Sequence, residues 1–310
     1  MRRPEMHWPR CAALWPLAFA AVIHHAGAQS SATGSATDAP NAHSNGSYLH
    51  SYLIEPKPET PCPPGIDPIY QADVIVTGTD MRQRPWGFAQ TFRTVLVKSS
   101  GDPRLVDAPR TDELAAKADG FVACFNYVDM MAGTPIHDEQ GTYDRPHKLT
   151  VTFDPAKIDA ILAEFGDKPW RGERPVVVPV LLIHGRKPPP YVLSADDPAG
   201  ADQRASFQTW ADSAGLTVRF PTAGELAEWG VSVDHFAGTA PPGAGGAPNE
   251  AIVAGTLDWQ ESLPGWVGKW RMRWHGADHA WGVSGVNYDG AFRDILRGVV
   301  LVASGNGSPD

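Results

Sequence analysis

The chain has 310 residues, of which 26 are Lys or Arg, 35 are Asp or Glu and 42% are hydrophobic, for a formal net charge of −9. So acidic a surface repels nucleic-acid phosphates and anionic lipid heads, which argues against a nucleic-acid partner. The apolar share is enough for a packed core, so the chain is not of the fibrous or wholly disordered classes.

Arg2, Arg3 and Arg10 open the chain, followed by a nearly uncharged stretch from Cys11 to Ala26 and by Ala26-Gly27-Ala28. A basic head, a short apolar middle and small residues at the exit make a secretory signal peptide over 1–28, with Gln29 as the new terminus. The apolar run is about 13–16 residues and is interrupted by Pro16, whereas a membrane span needs about 20. No later stretch approaches a span either, so the reading is of an exported protein, periplasmic or secreted, with no membrane span. Removal of the signal takes away three basic residues and one acidic residue, leaving 23 against 34.

Two cysteines follow, Cys62 and Cys124. In an oxidising compartment they can pair. Spacing alone does not show that their Cβ atoms meet, and the alternative is a buried free thiol at Cys124. Residues 29–68 read as a disordered leader, first polar and small, then rich in proline from Pro56 to Pro68.

From 69 to 167 the pattern predicts a first α/β module. Ile69–Thr77 is a strand ending at Gly78. Phe88, Phe92, Val95 and Leu96 fall at helical spacing, stopped by Gly101 and Pro103. Thr111 is read as the cap of a second helix whose inner face is Leu114, Ala118, Val122 and Phe125. Leu149, Val151 and Phe153 alternate as in a half-buried strand. Asp154-Pro155 starts a helix with Ile158, Ile161, Leu162 and Phe165 inward, ended by Gly166. The predicted order is β-α-α-β-α.

A second module, 168–303, is predicted as β-α-β-α-β-β-β-α with a mostly antiparallel sheet. Val176–Ile183 is continuously apolar, as in a strand covered on both faces, with Pro179 requiring a bulge or an edge. Phe207, Trp210, Ala211 and Ala214 mark a helix ended by Gly215, and Leu216–Phe220 a strand. Thr222 and Glu225 form a capping box. A Gly/Pro-rich loop spans 237–248, then come strand-like runs at 251–259, 266–275 and 279–286 and a last helix through Phe292, Ile295, Leu296, Val299 and Val300. The fold class expected is α+β or mixed α/β, two small layered sandwich modules behind the signal and leader.

Several of these segments resemble the exported bacterial family DUF2066. They are Leu96-Val-Lys-Ser-Ser-Gly-Asp-Pro103, Thr152-Phe-Asp-Pro155, Trp170-Arg-Gly-Glu-Arg-Pro175, Leu216–Pro221 leading to Glu225, and Ala251–Leu257 followed by Trp266-Val-Gly-Lys-Trp270. The resemblance implies export and an accessory role in the bacterial envelope; the family has no catalytic or binding residues to transfer.

The chemistry is thin. Val180-Leu-Leu-Ile-His-Gly185 resembles the oxyanion-hole strand of α/β-hydrolases, but the nucleophile elbow Gly-x-Ser-x-Gly is absent, the nearest approach being Gly282-Val-Ser284-Gly-Val286. His275 and His279, with Asp278 between them and His235 as the third candidate, would hold a metal only if they converge, since zinc needs three or four ligands. Trp266, Trp270 and Trp274, with Trp259 and Trp281, make a candidate platform for a sugar or peptide, against a core-packing reading. Lys269, Arg271 and Arg273 alternate with these aromatics and face the other way, as a solvated stripe or a docking spot for an acidic partner. Asp196, Asp197 and Asp289 read as cap or turn residues. There is no P-loop or dinucleotide fingerprint, and no cofactor is expected. Three functions follow from this inventory. The first is a non-enzymatic envelope protein that binds an unidentified envelope protein. The second is a hydrolase or metal-dependent enzyme around His184, His275 and His279, and the third a carbohydrate binder using the tryptophans.

Overall fold

The computed structural model describes residues 61–133, 145–245, 247–262 and 264–309. The stretches read from sequence as a signal peptide and as the leader up to residue 60 lie outside them. Residues 55–310 belong to one compact unit, and its fold is α+β, built on two sheets.

The first sheet is antiparallel, in the order β1-β3-β2, with β1 Gln71–Thr77, β2 Val122–Asp129 and β3 Pro146–Phe153. Helix α1 (Arg84–Ser100) packs its Phe88, Phe92, Val95 and Leu96 onto Leu149, Val151 and Phe153, all of them buried. Gly87 is where the helix meets the sheet: a Cβ there would stand 2.6 Å from a Leu149 methyl. Helix α1 ends at Gly101, whose φ of 76° is the left-handed conformation that glycine adopts without steric cost. Helix α3 (Pro155–Glu164) is capped by the Asp154 carboxylate, which accepts from the Ala156 and Lys157 amides.

The second helix differs from expectation. Helix α2 covers only Pro109–Ala115, with Ala108 at its cap position, while the Thr111 side chain is buried and its hydroxyl donates to the Leu105 carbonyl. A short turn, Ala118–Phe121, follows, and Val122 and Phe125 lie in β2. The order is therefore β-α-α-β-β-α. The four apolar positions do fit a helix, but pairing along all of β3 satisfies the backbone of 122–129 better, and that pairing is not local.

The second sheet runs β5-β4-β7-β8-β9, with β6 beside the start of β4. The strands are β4 Val176–His184, β5 Tyr191–Val192, β6 Thr217–Val218, β7 Glu250–Gln260, β8 Gly265–Trp274 and β9 Ala277–Val286. Strand β4 is parallel to β6 and β7, and the remaining pairs are antiparallel. Pro179 needs no bulge, since the β4–β7 register is unbroken. Val177 turns its carbonyl to Arg219 just beyond β6, and Leu181 turns its own to Leu193 beside β5. Pro179, between them and of the same phase, faces the gap that neither short strand fills, so its missing N–H leaves no ladder bond unmade. Helices α4 (Ala201–Ala214) and α6 (Tyr288–Ala303) cover one face of this sheet. On the other face, α5 (Ala223–Glu228) and the loop after it cover a smaller cluster that includes Val178, Val180, Ile252 and Ala254.

Candidate functional site

The residues singled out by sequence distribute over both faces and both ends of the second sheet. Strand alternation puts Trp266, Trp270, Met272 and Trp274 on the face beneath α6, where Trp270 is 1% exposed. The Trp270 ring lies where a side chain on Gly268 would stand, and within 2.6 Å of the position of a Gly255 Cβ. Its indole N–H donates to Asp294 on α6 at 3.0 Å. Trp281 fills a matching notch at Gly298. Trp270 and Trp274 are thus core residues, Trp270 seated against glycines, and of the two readings open for them it is core packing and not the candidate platform that their burial fits. Trp266 is partly buried, edge-on to Trp259 at 5.7 Å.

The histidines separate as well. His275 sits with Gly276 in the two-residue β8–β9 turn, both at positive φ, and its ring lies against Trp274. His279 pairs opposite Met272 in β9 and its Nδ1 reaches the Ser308 hydroxyl at 3.5 Å. His235 is in the loop after α5, against Ser232. Among the described residues no group of three or more His, Cys, Asp or Glu is placed to hold a metal. His184 lies at the other end of the sheet. Its neighbour Asp258 pairs with Val267, seven residues along β8 from Trp274, or roughly 24 Å at ~3.4 Å per residue. The three-histidine enzyme site is corrected on that distance.

His184 does have a partner that sequence reasoning missed. Its Nδ1 is 2.6 Å from Asp258 Oδ1, and the Thr256 hydroxyl donates to Asp258 Oδ2 at 2.9 Å. Only the β4–β7 register, joining residues 74 positions apart, brings them together. The carboxylate holds the ring of this exposed histidine by Nδ1. Ser284, the hydroxyl in the same row, is two strands beyond Asp258, roughly 10 Å away at ~4.8 Å per strand.

Lys269 and Arg271 stand exposed on the face opposite α6, with no hydrogen bond or ion pair among the described residues, while Arg273 is held by Asp278 at 2.8 Å. Of the acids read as cap or turn residues, Asp197 accepts locally from the Ala199 amide, while Asp196 accepts from the Ala223 amide at the start of α5 and Asp289 from the Ser206 hydroxyl of α4.

Cys62 and Cys124 are bonded, their Cα atoms 5.2 Å apart. Phe125 faces α1 through Phe88, so Cys124 points to the opposite face of the first sheet, together with Thr152. The bond draws the end of the leader onto that face, and Ile66 packs on the core. The leader from 61 onward is thereby fastened to the fold, contrary to the expectation for 29–68.

The same first module carries a feature that sequence reasoning missed altogether. Among the described residues, seven large apolar side chains are exposed, and six of them are Ile75, Met81, Trp86, Val128, Met130 and Met131. Ile75, Lys148 and Val128 form one row across the sheet on the face away from α1. Met130 donates its amide to Pro146, and Trp86 is in the first turn of α1, beside Gly87 where the helix meets Val76. All six therefore stand at the end where β1 and β2 finish and β3 begins. The available signal was that Ile75 and Val128 break the apolar alternation of their strands. Ile75 shares its phase with Asp73 and Thr77, and Val128 with Asn126.

Residues 65–171, about a third of the chain and the whole of this first module, are similar to a family described as Domain of unknown function (DUF8605). No curated protein and no solved structure matches the chain. The family match corrects the resemblance to DUF2066, which finds no support in it. The quoted motifs mark helix ends that many α/β proteins share: Gly101 and Asp102 end α1 and start the next turn, and Asp154-Pro155 starts α3.

Proposed function

We propose that the chain is an exported, non-enzymatic protein of the cell envelope that binds a partner protein through the apolar end of its first module. The observation that carries this is the gathering of Ile75, Met81, Trp86, Val128, Met130 and Met131 at one end of a sheet whose other half is covered by the disulfide-linked segment. Isolated exposed apolar residues are ordinary on soluble proteins, but six gathered at one end of one small sheet suit a surface that is covered in use. Trp and Met are enriched at protein contacts because they bury large, adaptable surface. Export is supported by the order of basic, apolar and small residues in 1–28, and by a cystine that a reducing cytosol would oppose.

The test places a photo-crosslinking residue at 130, at 75 and, as a control, at Asp202 on α4, in the cell that makes the protein. One discrete adduct of the same mass from 130 and 75 and none from 202 is expected. It should vanish in a Trp86→Glu variant with an unchanged melting temperature. Adducts equally strong from 202, or none from 130 and 75, would overturn the reading.

A further inference from the structure

A cleft runs between α1 of the first module and the α4–α6 pair of the second, enclosing about 280 Å³. Its floor is apolar, from Val97, Leu296 and Val300, the last two buried. Its mouth carries Arg93, Arg293 and Arg297, one from α1 and two a single helical turn apart on α6. These cations are not equally committed. Arg93 is held by Asp112 at 2.7 Å. Arg297 reaches Asp107 and the Pro103 carbonyl only at 3.4 Å. Arg293 lies over the Trp210 ring, 5.3 Å from its centroid, and has no hydrogen bond or ion pair among the described residues. Of the acids on its own helix, Asp294 is turned inward to the Trp270 indole, and Asp289, one turn earlier, accepts from the Ser206 hydroxyl of α4.

We propose that this cleft binds a compact amphipathic carboxylate, its head on Arg293 and Arg297 and its hydrocarbon along Val97, Leu296 and Val300. Each part of the cleft excludes something. A small hydrated anion would find rim cations but no use for the apolar floor, and a neutral hydrocarbon would leave Arg293 without a counter-charge. The volume lies at the lower limit of ligand pockets, about 300–1,000 Å³, which excludes a two-chain lipid. Arg293 is also pre-set by its stack on Trp210, so its ordering costs little on binding. This proposal is independent of the partner surface at the far end of the first module.

Calorimetric titration of the full chain with sodium octanoate tests it, with octan-1-ol as the neutral counterpart. Saturable binding of octanoate at one site is expected, at least about tenfold tighter than octan-1-ol. Arg293→Glu should weaken octanoate by tenfold or more, and Arg293→Gln by a smaller factor, each with a cooperative melt that shows the fold intact. Ala214→Trp, which fills the cleft without touching its charge, should abolish binding. Absence of saturable heat, equal affinity for the alcohol, or unchanged affinity in both Arg293 variants would overturn the proposal.

Discussion

Asp294 shows how a single side chain can be set against its surroundings. It sits on α6 beneath the second sheet, where burial raises its pKa from the ordinary 3.8, a shift that the Trp270 hydrogen bond and the nearby Arg297 and Arg293 only partly oppose. A raised carboxyl pKa means that the folded state holds the proton more tightly than the unfolded one. The resulting contribution favours folding fully below about 3.8 and is lost as pH rises through the folded value. At neutral pH the buried charge is therefore a cost, accepted because it orients the Trp270 indole. Asparagine keeps an acceptor for that N–H and removes the charge. Asp294→Asn is expected to melt higher than the parent at neutral pH, with the difference closing in acid. Melting temperatures of both proteins across the acid range check it, and a gap that widens as pH falls would count against the assignment. Which tryptophans are buried was half legible in sequence, since alternation along 269–274 separates Trp270, Met272 and Trp274 from Lys269, Arg271 and Arg273. What alternation cannot say is which face is covered. That depended on α6 and on notches at Gly268, Gly255 and Gly298, glycines on three different elements.

At the level of elements, the cystine determines where the leader ends and the fold begins. The bond spans 62 positions and fixes the segment before β1 to the face of β2 away from α1. Cross-linking so long a loop removes much of the disorder of the unfolded chain, typically about 2–4 kcal/mol. Cys124→Ser is expected to lose about that much in urea unfolding of the oxidised protein. The loss should disappear when both proteins are measured in reductant. A variant as stable as the parent without reductant would show that the bond does not form in solution. Elements whose signals are local were readable in this way from residues alone: α1 between its apolar stripe and Gly101, α3 behind Asp154-Pro155, α5 from the Thr222 and Glu225 box. Strand β2 was not, because Leu114, Ala118, Val122 and Phe125 keep helical spacing and only β3, two dozen residues on, decides otherwise. The His184–Asp258 pair was hidden for the same reason, being made by register and not by motif.

Across the whole molecule, the two sheets are joined at the C-terminus of α1. A helix leaves its last carbonyls without internal partners, and here the donors come from the far side of the seam. Arg174 donates to the Lys98 carbonyl at 2.6 Å and the Trp170 amide to Ser99 at 2.7 Å. The Asn306 side chain donates to Ser100 at 3.1 Å, and the Ser304 hydroxyl to Gly101 at 2.9 Å. Val97 of the same helix packs on the second core as well. Three of these four donors lie beyond residue 171, outside the stretch that matches a family of its own. Neither module should therefore melt alone. A single calorimetric transition is expected for the full chain, with urea curves by circular dichroism and tryptophan fluorescence coinciding. The Ser304→Ala/Asn306→Ala double variant leaves two carbonyls at the seam without donors, which should shift that one transition down by roughly 2 kcal/mol. It should not split into two. Two separated transitions in the parent would mean that the first module folds on its own and that the seam, with the cleft beside it, is only a contact between independent bodies.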